Sequence, residues 1–483
     1  MNRRLVAQLV GALGLVVSLT FLLPLAWALY DGSSDWLALT ESMILGLALS
    51  GGLFAWGRGL TKTTEVSPRD AFGVVTFGWL FVTVLGALPY LLGGVLPLVD
   101  SWFESMSGFT TTGATVLTDI EALPRGLLFW RALTHWLGGM GILVLCLAVM
   151  PLVGVGGMEL YKAETPTPLP EKLTPKVRDT ALVLWGLYVG LTALETVALM
   201  VTGLSFFDAI THSFSTLATG GFSNYNSSVA ALNNPWAEWV MTAFMLVAGL
   251  NFTLHFLVLK GKWCYFADDE GKLYLGAFVF GTLVCTFVTL GAGGMSETLR
   301  HAAFTTASIM TTTGFVVEDF SLWAPVAQVT LLALMFCGGC GGSTSGGIKH
   351  VRLLVAWRRI IQEMRRLLQP HRVSVTRLNG SPLSETVITS VMAFLAAFMG
   401  LLALFTFVLT ALGYDLTTSF TAVLTCLANA GPGLGLVGPV NTFAPLTALA
   451  KVALSCAMLF GRLEVMTVLM LFYAPTWRGT RRL

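Results

Sequence analysis

Charged residues are scarce in this chain. Of its 483 residues, 11% are Asp, Glu, Lys or Arg, whereas 55% are hydrophobic. Soluble globular domains carry about a quarter charged residues. The shortage excludes a soluble globular protein and predicts an all-α polytopic membrane protein.

Familiar catalytic motifs are also missing. The sequence has no H-E-x-x-H and no G-x-S-x-G, and its six histidines are dispersed. Of the seven cysteines, Cys337 and Cys340 form a C-x-x-C pair, while the other five are scattered singly. We therefore expect no enzymatic activity and no organic cofactor in this chain, and a membrane enzyme is the weakest function class.

Long apolar runs are abundant. A bilayer core about 30 Å thick needs about 20 apolar residues in a helix. The first run begins after Arg3 and Arg4, contains Pro24 and is too long for a removable signal peptide. About ten stretches are long enough to span: near 5–30, 36–58, 71–92, 126–151, 180–202, 236–260, 273–291, 325–348, 385–412 and 446–473.

Four other apolar segments are too short to span. Irregular backbone at membrane depth is tolerated only where it is buried in protein or faces a water-filled cavity, so re-entrant half-helices are expected. Each segment runs into a Ser or Thr, which is followed by five residues and then Gly. The segments lie near 100–110, 208–217, 297–310 and 415–427, with the motifs at 107–113, 215–221, 308–314 and 425–431.

The pattern therefore predicts four fused repeats of helix, re-entrant pore helix, filter loop and helix around one pore. A two-helix N-terminal unit at 1–65 precedes them. The predicted repeats are 66–155, 156–262, 263–378 with a gating loop and a basic helix, and 379–483.

Basic residues predict the orientation. Most of the 28 Lys and Arg residues lie at the N-terminus or in the alternate loops 58–69, 162–178, 260–272, 349–377 and 478–482. The positive-inside rule then places both chain termini in the cytoplasm. The half-helices lie on the opposite, acidic side, where Asp100, Glu104 and other acids predict a mouth that attracts cations.

The loops suit a weakly hydrated monovalent cation. Glycine can adopt the positive φ that turns successive carbonyl groups in one direction, and threonine adds a hydroxyl oxygen. The half-helices begin with an acid, so their partly negative C-terminal ends point towards the membrane centre and favour a cation. Because no carboxylate lies in the loops, a divalent ion is not expected.

The motifs TTTGATV at 110–116, LATGGFSN at 217–224, MTTTGFVVED at 310–319 and LANAGPGLG at 427–435 resemble the filters of the Trk/Ktr/HKT potassium transporter superfamily. The extra N-terminal two-helix unit is similar to the bacterial Trk branch. The resemblance covers essentially the whole chain. It implies potassium uptake across the bacterial inner membrane, a homodimer with a pore in each protomer, and control by a cytoplasmic nucleotide-binding ring protein of the NAD or ATP type. Membrane lipid is the other expected partner, and no nucleic acid is expected.

The resemblance also implies which residues hold potassium. In this family, Gly at the filter position of the first repeat accompanies potassium preference and Ser accompanies sodium transport, so Gly113 fits the potassium type. The second loop offers both Gly220 and Gly221, which leaves its register open by one residue. The implied filter residues are Thr111, Thr112, Gly113, Thr219, Gly220, Gly221, Thr312, Thr313, Gly314, Asn429, Ala430 and Gly431.

A glycine-rich stretch interrupts the third repeat. Such dense glycine costs a helix roughly 1 kcal/mol per residue relative to alanine, so the helix is expected to break there. A P-loop, a C-x-x-C metal or redox pair, and tight helix packing are the alternatives. The resemblance implies an intramembrane gating loop made of Gly338, Gly339, Gly341, Gly342, Ser343, Thr344, Ser345, Gly346, Gly347 and Lys349.

Arg462 lies deep within the last apolar run, where an ionised group is costly unless it faces a cavity or a partner. The resemblance implies a positive barrier in the pore below the filter. The alternative is a structural ion pair with Glu464 or Glu195.

The segment 349–377 reads as a basic amphipathic helix that ends before Pro370. It is either a docking surface for the regulator or an ordinary anchor on anionic lipid. For transport, a gated channel-like conduit is favoured over a symporter that couples potassium to sodium or protons. Symporters usually have inverted repeats, whereas these repeats run in one direction.

Overall fold

The computed structural model describes residues 1–58, 67–139, 177–262, 264–290, 294–370 and 375–473. The predicted all-α membrane fold is confirmed. Helices dominate the described part, and a two-residue antiparallel pair, β1 (Arg377–Leu378) with β2 (Ser381–Pro382), is the sheet found there.

The N-terminal unit has two spans, as predicted, but the first span, Arg3–Asp31, is divided in two, so the unit contains three helices. They are α1 (Arg3–Thr20), α2 (Leu22–Asp31) and α3 (Trp36–Gly57). A Cβ atom built on Gly11 of α1 would overlap the backbone of Phe54 on α3. The unit packs on the first repeat, where Phe21 stacks on Trp130 with ring centroids 4.1 Å apart.

The four repeats follow one plan: an outer helix, a short helix, a loop and an inner helix. In repeats two to four the inner helix is broken into two segments. The helices are α4 (Pro68–Leu92), α5 (Leu98–Phe109) and α6 (Arg125–Gly139); α7 (Val177–Val201), α8 (Phe206–Leu217), α9 (Pro235–Ala248) and α10 (Phe252–Leu259); α11 (Asp269–Thr289), α12 (Met295–Met310), α13 (Pro325–Cys337) and α14 (His350–Leu368); α15 (Glu385–Ala411), α16 (Leu416–Ala428), α17 (Ala448–Arg462) and α18 (Met466–Phe472).

The short helices α5, α8, α12 and α16 confirm the predicted half-helices. Their 12, 12, 16 and 13 residues cannot cross a bilayer at 1.5 Å per residue. Acidic residues lie at their N-terminal ends, which complements the helix dipole. Asp100, Asp208 and Glu297 are in the first turns of α5, α8 and α12, and Asp415 caps α16 by accepting the N–H of Thr418.

The expected continuous spans are only partly right. Among the described residues, six helices are long and apolar enough to cross a membrane, or up to eight if each of two bent pairs counts as one span. The segments predicted at 236–260 and 446–473 are not straight: α9 meets α10 at 98°, and α17 meets α18 at 117°. The predicted span 325–348 ends as a helix at Cys337.

Local residues explain the two bends. Asn251 begins a new helix because its side chain accepts the N–H of Thr253 at 2.9 Å. At the second bend, Glu464 and Val465 both have positive φ, which a continuous helix cannot accommodate.

Several predicted features lie outside the described residues. They are the second half of the span 126–151, most of the basic loops 58–69 and 162–178, the basic C-terminal stretch 478–482, and residues 371–374 of the basic segment.

Candidate functional site

The four loops that follow the short helices share one backbone conformation. In each, a residue with φ between 53° and 56° is followed two places later by a glycine with φ between 79° and 85°. This alternation turns successive carbonyl groups to one side. The second loop is therefore in register through Gly221, not Gly220. The pairs are Thr111 with Gly113, Thr219 with Gly221, Thr312 with Gly314, and Asn429 with Gly431.

The same hydrogen bond closes each loop onto its short helix. The carbonyl of the Ser or Thr that begins the sequence motif accepts the N–H of the residue five places later, at 2.8–2.9 Å. This explains the common spacing, because the bond places the following glycine at the same height in every repeat. The donor and acceptor residues are Thr112 and Ser107, Gly220 and Ser215, Thr313 and Ser308, and Ala430 and Thr425.

The loops form a closed ring. A Cβ atom built on Gly113 would overlap the carbonyl oxygen of Gly220 in the second loop. In the same way, a Cβ atom on Gly221 would overlap the carbonyl oxygen of Thr313, and one on Gly314 would overlap that of Ala430. A Cβ on Gly431 would lie 2.9 Å from the carbonyl oxygen of Thr112, which returns the sequence of contacts to the first loop.

Side chains behind the ring make it asymmetric. Thr110 and Thr112 share a hydroxyl contact at 2.8 Å, and Thr311 and Thr313 share one at 2.7 Å. In the fourth loop, the amide of Asn429 instead donates to the hydroxyl of Thr112 at 2.9 Å. A second N–H of the same amide donates to the carbonyl of Met458 at 3.0 Å. Asn429 thus joins the fourth loop both to the first loop and to α17.

A buried ion pair supports the first two loops, and the sequence did not single it out. Glu104 of α5 is fully buried and contacts Nε of Arg131 at 2.8 Å. The same carboxylate accepts the N–H of Val116 just beyond Gly113 at 2.9 Å. Arg131 also donates to the carbonyl of Ser223 in the second repeat at 2.8 Å and lies over the Phe222 ring. The sequence offers one signal for this pair: an acid, Glu104, lies within a half-helix, and a basic residue, Arg131, lies within the next apolar run.

A cavity of about 140 Å³ opens on one side of the ring. All four filter glycines contribute to its lining, together with Arg131 and the segment 437–443. Phe443 from this segment is tied to the first repeat, because its N–H donates to the carbonyl of Thr115 at 2.8 Å.

The mouth is less acidic than the sequence suggested, because several acids are paired. Asp100 contacts Nζ of Lys451 at 2.7 Å, and Glu104 is paired with Arg131. Asp31 lies 3.7 Å from a guanidinium nitrogen of Arg125.

The glycine-rich segment lies on the other side of the ring. α13 ends at Cys337, and the chain stays irregular until His350. The N–H of Gly346 donates to the Thr312 hydroxyl at 2.8 Å, and the N–H of Gly347 donates to the carbonyl of Ala428 at 3.0 Å. The Thr344 hydroxyl donates to the carbonyl of Leu217 at 2.9 Å. The segment therefore contacts repeats two, three and four directly beneath the filter.

This conformation does not fit two of the alternatives for the segment. A helix precedes it, whereas a P-loop needs a strand. The backbone is irregular, so tight helix packing does not describe it. Cys337 and Cys340 are both free thiols in this structure, and the metal or redox pair stays a prediction that the conformation does not test.

The bend between α9 and α10 in the second repeat is hydrogen-bonded to the N-terminal part of the glycine-rich segment. The N–H of Cys340 donates to the carbonyl of Gly249 at 2.8 Å, and the N–H of Phe252 donates to the carbonyl of Gly342 at 3.1 Å. The unexpected break between α9 and α10 thus exposes backbone groups that the segment uses.

Arg462 bridges this segment and the first repeat. Its guanidinium donates to the carbonyl of Thr344 at 2.9 Å and to the carbonyls of Gly138 and Gly139 at 2.5 and 2.7 Å. Glu464, suggested as its partner, instead pairs with Arg352 and with Nζ of Lys349, the latter at 3.7 Å.

The basic helix α14 (His350–Leu368) ends before Pro370, as predicted. Its first turn is buried and its last turn is exposed, including Arg365 and Arg366. In the middle, Arg358 pairs with Asp269 at 2.8 Å and Arg359 with Glu385 at 3.0 Å.

Comparison with known proteins agrees with this geometry. A family model for TrkH, described as a cation transport protein, matches residues 42–280 and 275–477. The Trk system potassium uptake protein TrkH of Salmonella typhimurium is 37% identical over 486 residues, which cover 99% of this chain and all of the relative. TrkH of Halomonas elongata is also 37% identical over 486 residues, with the same coverage of both chains.

The fold is also similar to a solved structure. The crystal structure of the potassium transporter TrkH from Vibrio parahaemolyticus superimposes with a TM-score of 0.88 at 33% identity, covering 99% of this chain and all of that one.

Proposed function

Because the chain belongs to the TrkH family of cation transport proteins, we propose that it takes up potassium through the ring of four loops. The family consists of transporters rather than enzymes, and the chain is a multi-pass membrane protein. The observation that carries the proposal is the closed order of contacts from Gly113 through the other loops back to Thr112.

Potassium fits the chemistry of the ring. Carbonyl and hydroxyl oxygens from four loops can replace the shell of a weakly hydrated cation. The twelve filter residues from Thr111 to Gly431 contain no carboxylate, and Glu104, which accepts the N–H of Val116 just beyond Gly113, is paired with Arg131. The site therefore favours a monovalent cation over a divalent one. The asymmetry that Asn429 introduces should make discrimination against sodium weaker than in a fourfold symmetric filter.

Flux is controlled below the filter. The segment from Gly338 to Gly347, with Lys349, is the gating loop, and its hydrogen bonds to Thr312 and Ala428 hold it in the ion path. Arg462 adds a positive charge at the same depth and opposes cation passage. The loop must withdraw from the filter before potassium can pass.

The proposed setting is the bacterial inner membrane, with both termini in the cytoplasm. A cytoplasmic nucleotide-binding ring protein docks on the exposed half of α14, where Arg365 and Arg366 lie. A pull on α14 would then reach the gating loop through Lys349. The protein is proposed to act as a homodimer with a pore in each protomer, in contact with lipid.

The second candidate is a symporter that couples potassium to sodium or protons. Its support is Glu195, a fully buried acid on α7 that could carry a proton. The channel-like mode is favoured because the pathway is a ring of neutral oxygens.

Reversal potentials of the purified protein in liposomes test the proposal. With equal concentrations of potassium on one side and sodium on the other, a potassium-selective pore gives a reversal potential far from zero, with the potassium side negative. A reversal potential near zero would contradict potassium selectivity. Stoichiometric movement of a second ion with potassium would replace the pore by the symporter.

A further inference from the structure

A buried carboxylate connects the gating loop to α14. Glu270 lies in the first turn of α11 and is 7% exposed. Its Oε1 atom accepts the N–H of Gly341 in the loop at 2.7 Å and the N–H of Val351 in α14 at 2.8 Å. One oxygen atom therefore holds both elements.

The start of α14 requires an acceptor from elsewhere. The first N–H groups of a helix have no partner within the helix, and a side chain at the N-cap usually supplies one. Here the N-cap residue is Lys349, which has a φ of 76° and makes no side-chain cap hydrogen bond. A lysine ammonium group cannot accept, so Glu270 takes over this task with a charge that also suits the helix dipole.

A second contact keeps α11 and α14 together. Asp269, the neighbour of Glu270, pairs with Arg358 two turns further along α14. The first two residues of α11 thus fix both the start and the middle of the basic helix. Since α11 is a spanning helix, it provides a fixed point against which α14 can move.

We propose that Glu270 is the positioning residue that holds the gating loop closed and makes the loop and α14 move as one unit. If α14 is pulled away, Val351 leaves the carboxylate, and the buried charge then has one donor fewer. An underpaired buried carboxylate is unfavourable, so a state in which α14 has moved and the loop has not is disfavoured, and the two elements leave the carboxylate together. This inference rests on the proposed role of the loop as a gate.

Potassium or rubidium flux into liposomes without the regulator tests this role. Glu270→Ala should raise flux about tenfold, because it removes two charge-assisted hydrogen bonds from the closed state. Glu270→Gln keeps an oxygen acceptor of the same shape and should restore most of the closure. The matched control is Asp179→Ala, since Asp179 lies in the first turn of α7, the outer helix of the second repeat, but is exposed. Equal flux in Glu270→Ala and the wild type would overturn the proposal.

A labelling experiment separates this role from general destabilisation and from the proposed function. Cys340 is 1% exposed beside Gly341, so a hydrophilic thiol reagent should react with it slowly in a variant that keeps it as the sole cysteine. Glu270→Ala should accelerate labelling and Glu270→Gln should not. Unchanged labelling of Cys340 in Glu270→Ala would reject the positioning role of Glu270, even if the protein is selective for potassium. Faster labelling in a protein that conducts no potassium would support the positioning role of Glu270 and reject the proposed potassium pore.

Discussion

Gly113, a filter glycine, differs from Gly94 in what lies beside its α-carbon. Gly113 and Gly94 both have positive φ, of 79° and 66°. A Cβ on Gly113 would overlap the carbonyl of Gly220, whereas a Cβ on Gly94 would meet no atom within 4 Å. Backbone strain is therefore similar at the two sites, but only Gly113 is constrained by the neighbouring filter loop.

This contrast predicts the effect of Gly113→Ser. The serine Cβ must displace the Gly220 carbonyl, which disturbs one oxygen layer of the ring. We expect the potassium over sodium permeability ratio to fall by about tenfold, equivalent to about 1.4 kcal/mol. Bi-ionic reversal potentials measure it. Gly94→Ser, with comparable strain outside the filter, should retain the wild-type ratio, and a loss of selectivity there too would remove the explanation.

The Glu104 and Arg131 pair gives a prediction about stability. Removing one partner of a buried ion pair typically costs about 3–5 kcal/mol, because the other charge is left uncompensated. Glu104→Ala should therefore lower the thermal unfolding temperature of the solubilised protein strongly. The double variant Glu104→Leu with Arg131→Met should recover part of this loss, since no lone charge remains. A double variant no more stable than Glu104→Ala would show that the ion pair is not the cause.

Arg462 provides a test of the barrier beneath the filter. Arg462→Ala removes the positive charge and the bonds to Thr344, Gly138 and Gly139. We expect regulator-free potassium flux to rise severalfold in liposomes. Arg462→Lys keeps the charge but cannot make the same set of hydrogen bonds, so its flux should lie between the two. Unchanged or reduced flux in Arg462→Ala would contradict a barrier role.

At the scale of elements, the short helices and their loops were predictable because the signal is local. Five residues separate Ser107 from Gly113, and the same backbone hydrogen bond requires that spacing in each repeat. The register of the second loop was not predictable, because Gly220 and Gly221 are chemically identical. It is fixed only by contact with neighbours, since Gly221 abuts the Thr313 carbonyl and Gly220 abuts the ring of His135.

Of the breaks in the inner helices, one was predictable from the sequence and another was not. The glycine-rich break after Cys337 was predicted, because dense glycine is a local helix breaker. The bend at Glu464 was not, because Glu is a good helix former and its positive φ accompanies ion pairs with Lys349 and Arg352 from another repeat. Likewise, the sequence alone places Glu104 among the acids of the outer mouth, whereas in the fold its carboxylate contacts Arg131 and the N–H of Val116.

Shortening the gating loop tests this element directly. Deleting residues 345–347 removes the N–H groups of Gly346 and Gly347 that bind Thr312 and Ala428. The shortened loop can no longer rest against the filter, so flux without the regulator should rise at least severalfold. Adding Glu270→Ala to this deletion should raise flux no further if both act through the loop. A tightly closed deletion variant would refute the gating role.

For the whole molecule, the proposed channel-like mode of transport rests on how the four loops are arranged. Four repeats that run in the same direction place neutral oxygens around one axis, and no alternation between two inverted halves is required. In this arrangement Glu195 lies on the outer helix α7 and is not a residue of any filter loop. A substitution of Glu195 can therefore test whether potassium transport is coupled to protons. The isosteric change Glu195→Gln removes the ability to carry a proton while it keeps the shape.

A channel-like protein predicts that Glu195→Gln conducts potassium with an unchanged reversal potential. An imposed pH gradient should also leave that potential where the potassium gradient sets it, because a conduit driven by the electrochemical gradient has no stoichiometric partner ion. A symporter would behave differently, since its reversal potential must combine both gradients. A shift with pH in the wild type that disappears in Glu195→Gln would therefore identify coupled transport and assign the proton to this carboxyl group.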